Sequence, residues 1–283
     1  MLVKMEHVAK QYGGFELCCS LRLAEGYITG LVGPNGSGKT TAFKAILGLI
    51  SLEGGQIQVF GKDLAHVACK DKAQIGVVLA DSGLGGHMTV SEAASFMSAA
   101  YDRFDREMFL QNCRKHNLPL NKKIRKFSTG MRTKLKVFIA LSHNARLLIL
   151  DEPTAGLDVM ARNELLDMLR EYMEQEGRGI LISSHISNDL EGLCDDIYMI
   201  KDGKIVFHED TDVILSDYGL LKVDSKQYDS MDRGHILCVR KEAYGFSCLT
   251  DNRQFYQQNY PDLALEKGGI DQVELMMMGG EVR

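Results

Sequence analysis

Residues Gly33, Pro34, Asn35, Gly36, Ser37, Gly38, Lys39 and Thr40 read GPNGSGKT. Their types and spacing suit one task, the binding of phosphate. Glycines let the main chain fold around an oxyanion, and successive N–H groups with the N-terminus of a following helix point at it. Lys39 would reach the β- and γ-phosphates of a nucleotide, and the Thr40 hydroxyl would ligate Mg²⁺. The flanks fit. Ile28–Val32 is short, apolar and β-branched, which predicts a buried strand. Residues 41–50, TAFKAILGLI, start at Thr41 and carry apolar residues at helical spacing. Strand, loop and helix in that order are the context a phosphate loop requires.

Leu147–Pro153, LLILDEP, offers the matching carboxylates. Four apolar residues predict a buried strand ending in two acids. Successive strand residues face opposite ways, so Asp151 and Glu152 are expected to differ in role. Asp151 would hold Mg²⁺, and Glu152 would polarise the attacking water as general base. Ile180–His185 is a further apolar strand with a histidine at its end. Ligands of parallel α/β sheets sit at the carboxyl ends of strands, so His185 is expected at a γ-phosphate or at the attacking water.

About ninety positions beyond the phosphate loop, residues 125–132 read RKFSTGMR. A small hydroxyl, a glycine and positive charge open a helix there, MRTKLKVFIALS. A helix N-terminus favours an anion, so the chain holds a second stretch suited to phosphate.

Taken in order, these motifs resemble the ATP-binding subunit of ABC transporters over about residues 1–212. Tyr12 matches the aromatic that stacks on adenine. Gly33–Thr40 matches the P-loop, Ser128–Met131 the family signature, and Asp151–Glu152 the second acidic motif. Ala155–Asp158 matches a loop that contacts a partner cassette, and His185 the switch histidine. The resemblance implies a P-loop α/β cassette: a RecA-like core, an antiparallel β subdomain and a helical insert at about 82–128. It implies ATP and Mg²⁺ as ligands and two cassettes packed head to tail. Ser128 and the Gly130 N–H of one would touch the γ-phosphate held by Lys39 of the other, with Asp158 at the same seam. The second cassette would be a copy of this chain or a different one.

Two departures stand out. Thr129 and Met131 replace the usual glycine and polar residue of the signature, a variant similar to bacterial exporters whose membrane part is a separate polypeptide. Ala80 stands where the family carries a glutamine that senses Mg²⁺ and links to the membrane subunit; either Asp81 substitutes through water or the coupling relies on other contacts. The resemblance implies an ATPase that is cytoplasmic, peripheral on the inner face of the membrane, and powers a transmembrane permease subunit.

The bulk properties agree. The 283 residues are 45% hydrophobic and 25% charged with a net charge of −5, a globular composition without the basic surplus of a nucleic-acid coat. No apolar run approaches the roughly 18–20 residues of a membrane span, and the N-terminus shows no signal-peptide pattern. Seven irregularly spaced cysteines point to reduced thiols rather than a disulfide framework or zinc site. A soluble ABC ATPase acting on ribosomes or DNA is the alternative, disfavoured by the single P-loop and by the short gap between P-loop and signature. A regulatory module without chemistry is disfavoured by intact Lys39, Asp151, Glu152 and His185.

The remaining expectations are local. Thr89-Val90-Ser91-Glu92 is a capping box, and a second insert helix is expected through REMFLQNCRKH, ending before Pro119. Lys122, Lys123, Arg125 and Lys126 are expected on a solvated face. Residues 159–175 should be helical, and 198–207 a hairpin turning at Asp202-Gly203. Residues 213–283 are expected to form a small α/β appendage, in which Met276–Met278 would be core or a docking surface.

Overall fold

The computed structural model describes residues 1–80 and 83–282. The chain opens with β1 (Val3–Tyr12), β2 (Phe15–Leu23) and β3 (Ile28–Val32), and turns through the phosphate loop into α1 (Lys39–Ile46). It returns through β4 (Gly54–Val59), β5 (Lys62–Asp63), the short α2 (Cys69–Lys72) and β6 (Ile75–Val78). Three helices follow, α3 (Val90–Ala100), α4 (Arg106–Lys115) and α5 (Thr129–Leu141). Then come β7 (Leu147–Asp151), α6 (Val159–Met173), β8 (Gly179–Ser183), α7 (Ser187–Glu191) and the hairpin β9 (Asp196–Lys201) and β10 (Lys204–Asp210). The last segment comprises α8 (Thr211–Asp217), β11 (Gly219–Val223), α9 (Ser225–Ser230), β12 (Ile236–Glu242), β13 (Gly245–Thr250), α10 (Arg253–Asn259), β14 (Ala264–Lys267), α11 (Ile270–Gly279) and β15 (Glu281–Val282).

Among the described residues the strands form three sheets. The central one runs β10-β9-β3-β8-β7-β6, with β9, β3, β8, β7 and β6 parallel and β10 antiparallel at its edge. Parity decides which residues face which layer. Leu147, Ile149 and Leu181 point into a core shared with α1 and the antiparallel sheet β2-β1-β4-β5. Leu148, Leu150, Ile180 and Ile182 point the other way, into a core shared with α6 and α7. Both faces are therefore covered, as the fully apolar strands demand.

The helical insert packs its own core around Phe109, Phe127 and Phe138. Its first helix begins at the expected capping box, Thr89 with Glu92. Lys122, Lys123, Arg125 and Lys126 are exposed, as a solvated face requires. The hairpin turns at Asp202 (φ 47°) and Gly203 (φ 77°), the two left-handed residues of a type I′ turn.

Two expectations are corrected. The helix after the phosphate loop spans Lys39–Ile46, not residues 41–50, because the chain turns left-handed at Gly48 (φ 67°). The appendage sheet, β14-β11-β13-β12-β15, is antiparallel throughout, so the appendage is α+β rather than α/β. Met276 and Met277 are buried under it and Met278 packs against the same core. They fill the space between α11 and the sheet, so of the two readings stated for them, core is the one the structure shows. That core runs without a break from Leu148 and Leu190 into Ile214, Leu220, Ile270 and Val273.

Candidate functional site

The phosphate loop leaves the central strand β3 and is held from below by the β9–β10 hairpin. Gly33 has no room for a side chain, since a Cβ there would stand 2.2 Å from Ile200 O. Gly38 caps α1 at φ 112°, a conformation glycine adopts without steric cost. The turn residue Gly203 donates its N–H to Ser37 O (2.9 Å) and accepts from the Cys18 N–H (2.8 Å). The loop shape is thus fixed by backbone bonds to neighbouring elements. Pro34, Asn35 and Gly36 are exposed at its crest. Lys39 is buried and its ammonium donates to Gly33 O (2.6 Å) and Pro34 O (3.2 Å). Ser37 Oγ is buried without a hydrogen-bond partner among the described residues. Thr41 lies half-buried in the first turn of α1.

The acids arrive from β7. Asp151 shares the parity of Leu147 and Ile149, so its carboxylate points to the α1 side, where the Thr40 hydroxyl donates to Oδ2 at 2.5 Å. Ser183, at the end of β8, has the same parity as Leu181 and donates to Asp151 Oδ1 at 2.6 Å. Glu152 lies outside the strand at φ 52°, so the turn sets its direction and the strand alternation does not. Its N–H donates to both Ser183 O (3.2 Å) and Ser183 Oγ (3.1 Å). Its Oε2 accepts from the His185 N–H (3.2 Å) and from His185 Nδ1–H (2.5 Å). Asp151, Glu152, Ser183 and His185 therefore form one chain of contacts beside Thr40. A hydroxyl and a carboxylate oxygen in contact are hard donors that suit Mg²⁺, which takes one or two protein ligands and completes its shell with phosphates and water.

The other expected residues stand at the end of β1 and at the starts of α5 and α6. Tyr12 ends β1, half exposed, with Lys10 Nζ 5.5 Å from its ring centroid. Ser128 is the N-cap of α5, its hydroxyl accepting from the Met131 N–H at 3.3 Å. Gly130 lies against the loop before α6, because a Cβ there would stand 2.8 Å from Gly156 O. Asp158 caps α6 through the Ala161 N–H at 2.9 Å. The signature and the Asp158 loop thus form a continuous surface. Asp81 lies outside the described residues. Ala80 is exposed just past β6, and its carbonyl accepts from Lys136 Nζ at 3.0 Å.

Two groups were not anticipated from the sequence. Ser183 joins the acids; its signal was the hydroxyl next to the strand end in LISSH, at the register of Asp151. Glu274, on α11, is half-buried. Burial pushes its carboxyl above the ordinary range, and the Lys39 ammonium partly opposes that rise. An acid of the appendage therefore feels the charge of the phosphate loop.

Comparison with known proteins agrees with this geometry. The family model described as ABC transporter matches residues 18–155. The ABC transporter ATP-binding protein NatA of Bacillus subtilis is 32% identical over 197 residues, 66% of this chain and 78% of its own length. The Nod factor export ATP-binding protein I of Cupriavidus pinatubonensis is 32% identical over 257 residues, 86% of this chain and 78% of its own. A dimeric ATP-binding cassette in a post-hydrolysis state, bound to ADP and Pi, superposes with a TM-score of 0.66 at 22% identity, covering 74% of this chain and 99% of that one. The fold is that of an ATP-binding cassette with a P-loop. The chain belongs to the ABC transporter family and is one of its ATP-binding ATPase proteins. No helix among the described residues is long and apolar enough to cross a membrane.

Proposed function

We propose that this chain hydrolyses ATP to ADP and phosphate to power export through a separate membrane permease, acting as one of two cassettes packed head to tail. The observation that carries the chemistry is the meeting of Thr40, Asp151, Ser183, Glu152 and His185 at the carboxyl ends of three neighbouring parallel strands.

Tyr12 supplies a ring face for adenine. The loop N–H groups and Lys39 bind the phosphates, so that Lys39 exchanges its carbonyl partners for phosphate oxygens. Thr40 and Asp151 are the residues that would hold Mg²⁺, and the ion supplies neutralisation of charge on the β- and γ-phosphates. Ser183 locks the Asp151 carboxylate in place. Glu152 Oε2 is held by His185, which leaves Oε1 to accept the proton of the attacking water. His185 acts by fixing that carboxylate. Ser128 and the Gly130 N–H complete the site of the second cassette, with Asp158 at the seam. A continuous surface of signature and Asp158 loop supports this reading, as does the dimeric state of the similar cassette.

Export is favoured by the similarity to the Nod factor export ATP-binding protein I and by the variant signature. A cassette driving a permease works at the inner face of the membrane. A substitution of Ser128 separates binding from turnover: Ser128→Arg should abolish hydrolysis and leave the ATP affinity of the monomer intact. Loss of monomer binding would show that Ser128 serves its own nucleotide instead.

A further inference from the structure

The helix that carries the signature is stitched to the edge strand of the central sheet at three points. At its C-terminal end, His143 Nε2 lies 3.3 Å from Ile75 O at the start of β6. In the last turn of the helix the backbones nearly touch, since a Cβ on Gly76 would stand 2.7 Å from Ala140 O. Toward the signature, Lys136 Nζ donates to Leu79 O (2.8 Å) and Ala80 O (3.0 Å). The Lys136 stem also runs beneath Gly83, its Cε 3.4 Å from where a Cβ would stand. Three residues following β6 thus engage one side chain of α5.

The third stitch is the one that bears on the site. Beyond it, a cleft of about 530 Å³ lined by Thr129, Lys136, Ala80, Asp151 and Glu152 separates the first turns of α5 from the acidic turn. Among the described residues, open space lies between them on that side. The methyl group of Ala80 has no donor or acceptor, so it cannot tie the loop to anything polar. An ammonium with three donors can bond two carbonyls at once, and Lys136 does so.

We propose that Lys136 is a positioning residue for hydrolysis. Its ammonium fixes the pitch of α5 against the end of β6, and so fixes where Ser128 and the Gly130 N–H meet the terminal phosphate of the second cassette. This inference rests on the trans role proposed for Ser128. Lys136 to Thr129 spans about 10 Å of helix, so a tilt of about 5° at the tether moves the first turn by about 1 Å. A misplacement of about 1 Å can cost on the order of 100-fold in rate.

The test uses the purified full-length chain with Lys136→Met, Lys136→Arg and, alongside, Ser128→Arg. Lys136→Met keeps the stem and removes the ammonium. It should lower turnover by about 10- to 100-fold and leave ATP affinity and melting temperature near those of the parent. Lys136→Arg, which can still bond two carbonyls, should recover most of the rate. Undiminished turnover in Lys136→Met, with Ser128→Arg inactive, would overturn the role of Lys136 and leave the trans site standing. A loss of melting temperature or ATP affinity matching the loss of rate, or no recovery with arginine, would overturn it too. Normal turnover in Ser128→Arg would remove both readings together.

Discussion

Ser183→Ala isolates the contact that unites the acids. The Ser183 side chain is fully buried, donates to Asp151 Oδ1 at 2.6 Å and accepts from the Glu152 N–H at 3.1 Å. A hydrogen bond to a charged group contributes about 1.5–3 kcal/mol net. The second loss is smaller, because the Glu152 N–H keeps Ser183 O at 3.2 Å. The total is then about 2 kcal/mol, which for a chain of this length lowers the melting temperature by about 3 °C. The same change frees Asp151 to rotate away from Thr40 and loosens the left-handed turn at Glu152. If the full amount were expressed in the transition state, turnover would fall by about 30-fold. Thermal unfolding and steady-state phosphate release on the same preparation read both effects. Unchanged melting with unchanged turnover would refute the claim that Ser183 orders the acidic pair. A melting loss with full turnover would confine Ser183 to stability.

Other substitutions probe separate parts of the site. Lys39→Ala should weaken ATP binding strongly, since it removes the cation among the phosphates; unaltered affinity in a direct titration would contradict the assignment. His185→Ala should lower turnover far more than melting temperature, because the exposed imidazole does little for packing while its Nδ1–H orients Glu152. Equal losses in both would make it structural. Glu274 gives a pH dependence. Its folded-state carboxyl is raised by burial, so the stability it contributes is present below the ordinary glutamate range and is lost as pH rises through its folded value. Glu274→Gln should therefore raise the melting temperature at about pH 8 and have little effect at about pH 4. A gain confined to acid pH would reverse the sign and refute the reading.

Much of this site was legible in the sequence because its determinants are local. GPNGSGKT fixes its own loop through glycine geometry, and LLILD fixes a buried strand through its apolar run. The capping box at Thr89 and the Asp202-Gly203 turn are likewise encoded within a few residues. What could not be read arises from register between distant segments. Ser183 meets Asp151 only because β7 and β8 pair in parallel with those residues opposite each other. Lys136 meets Leu79 and Ala80 only because α5 lies along β6, and Glu274 senses Lys39 only because α11 folds back onto the core. Glu152 was assigned by strand alternation, yet its positive φ takes it off the strand. The helix at the phosphate loop was extended too far because Gly48 reads as a tolerable helical residue until its left-handed backbone is seen. The methionines of α11 carry no signal of burial beyond their apolarity, and the sheet beneath them decides it.

The central claim is that RKFSTGMR completes a nucleotide site on another cassette. The solution mass of Glu152→Gln, measured by light scattering with and without ATP and Mg²⁺, tests it most directly. Removing the general base should hold ATP between two closed cassettes, so the mass should rise from one to two copies of the 31.5 kDa chain only when nucleotide is present. A mass that stays at one copy at saturating ATP would contradict pairing between identical chains.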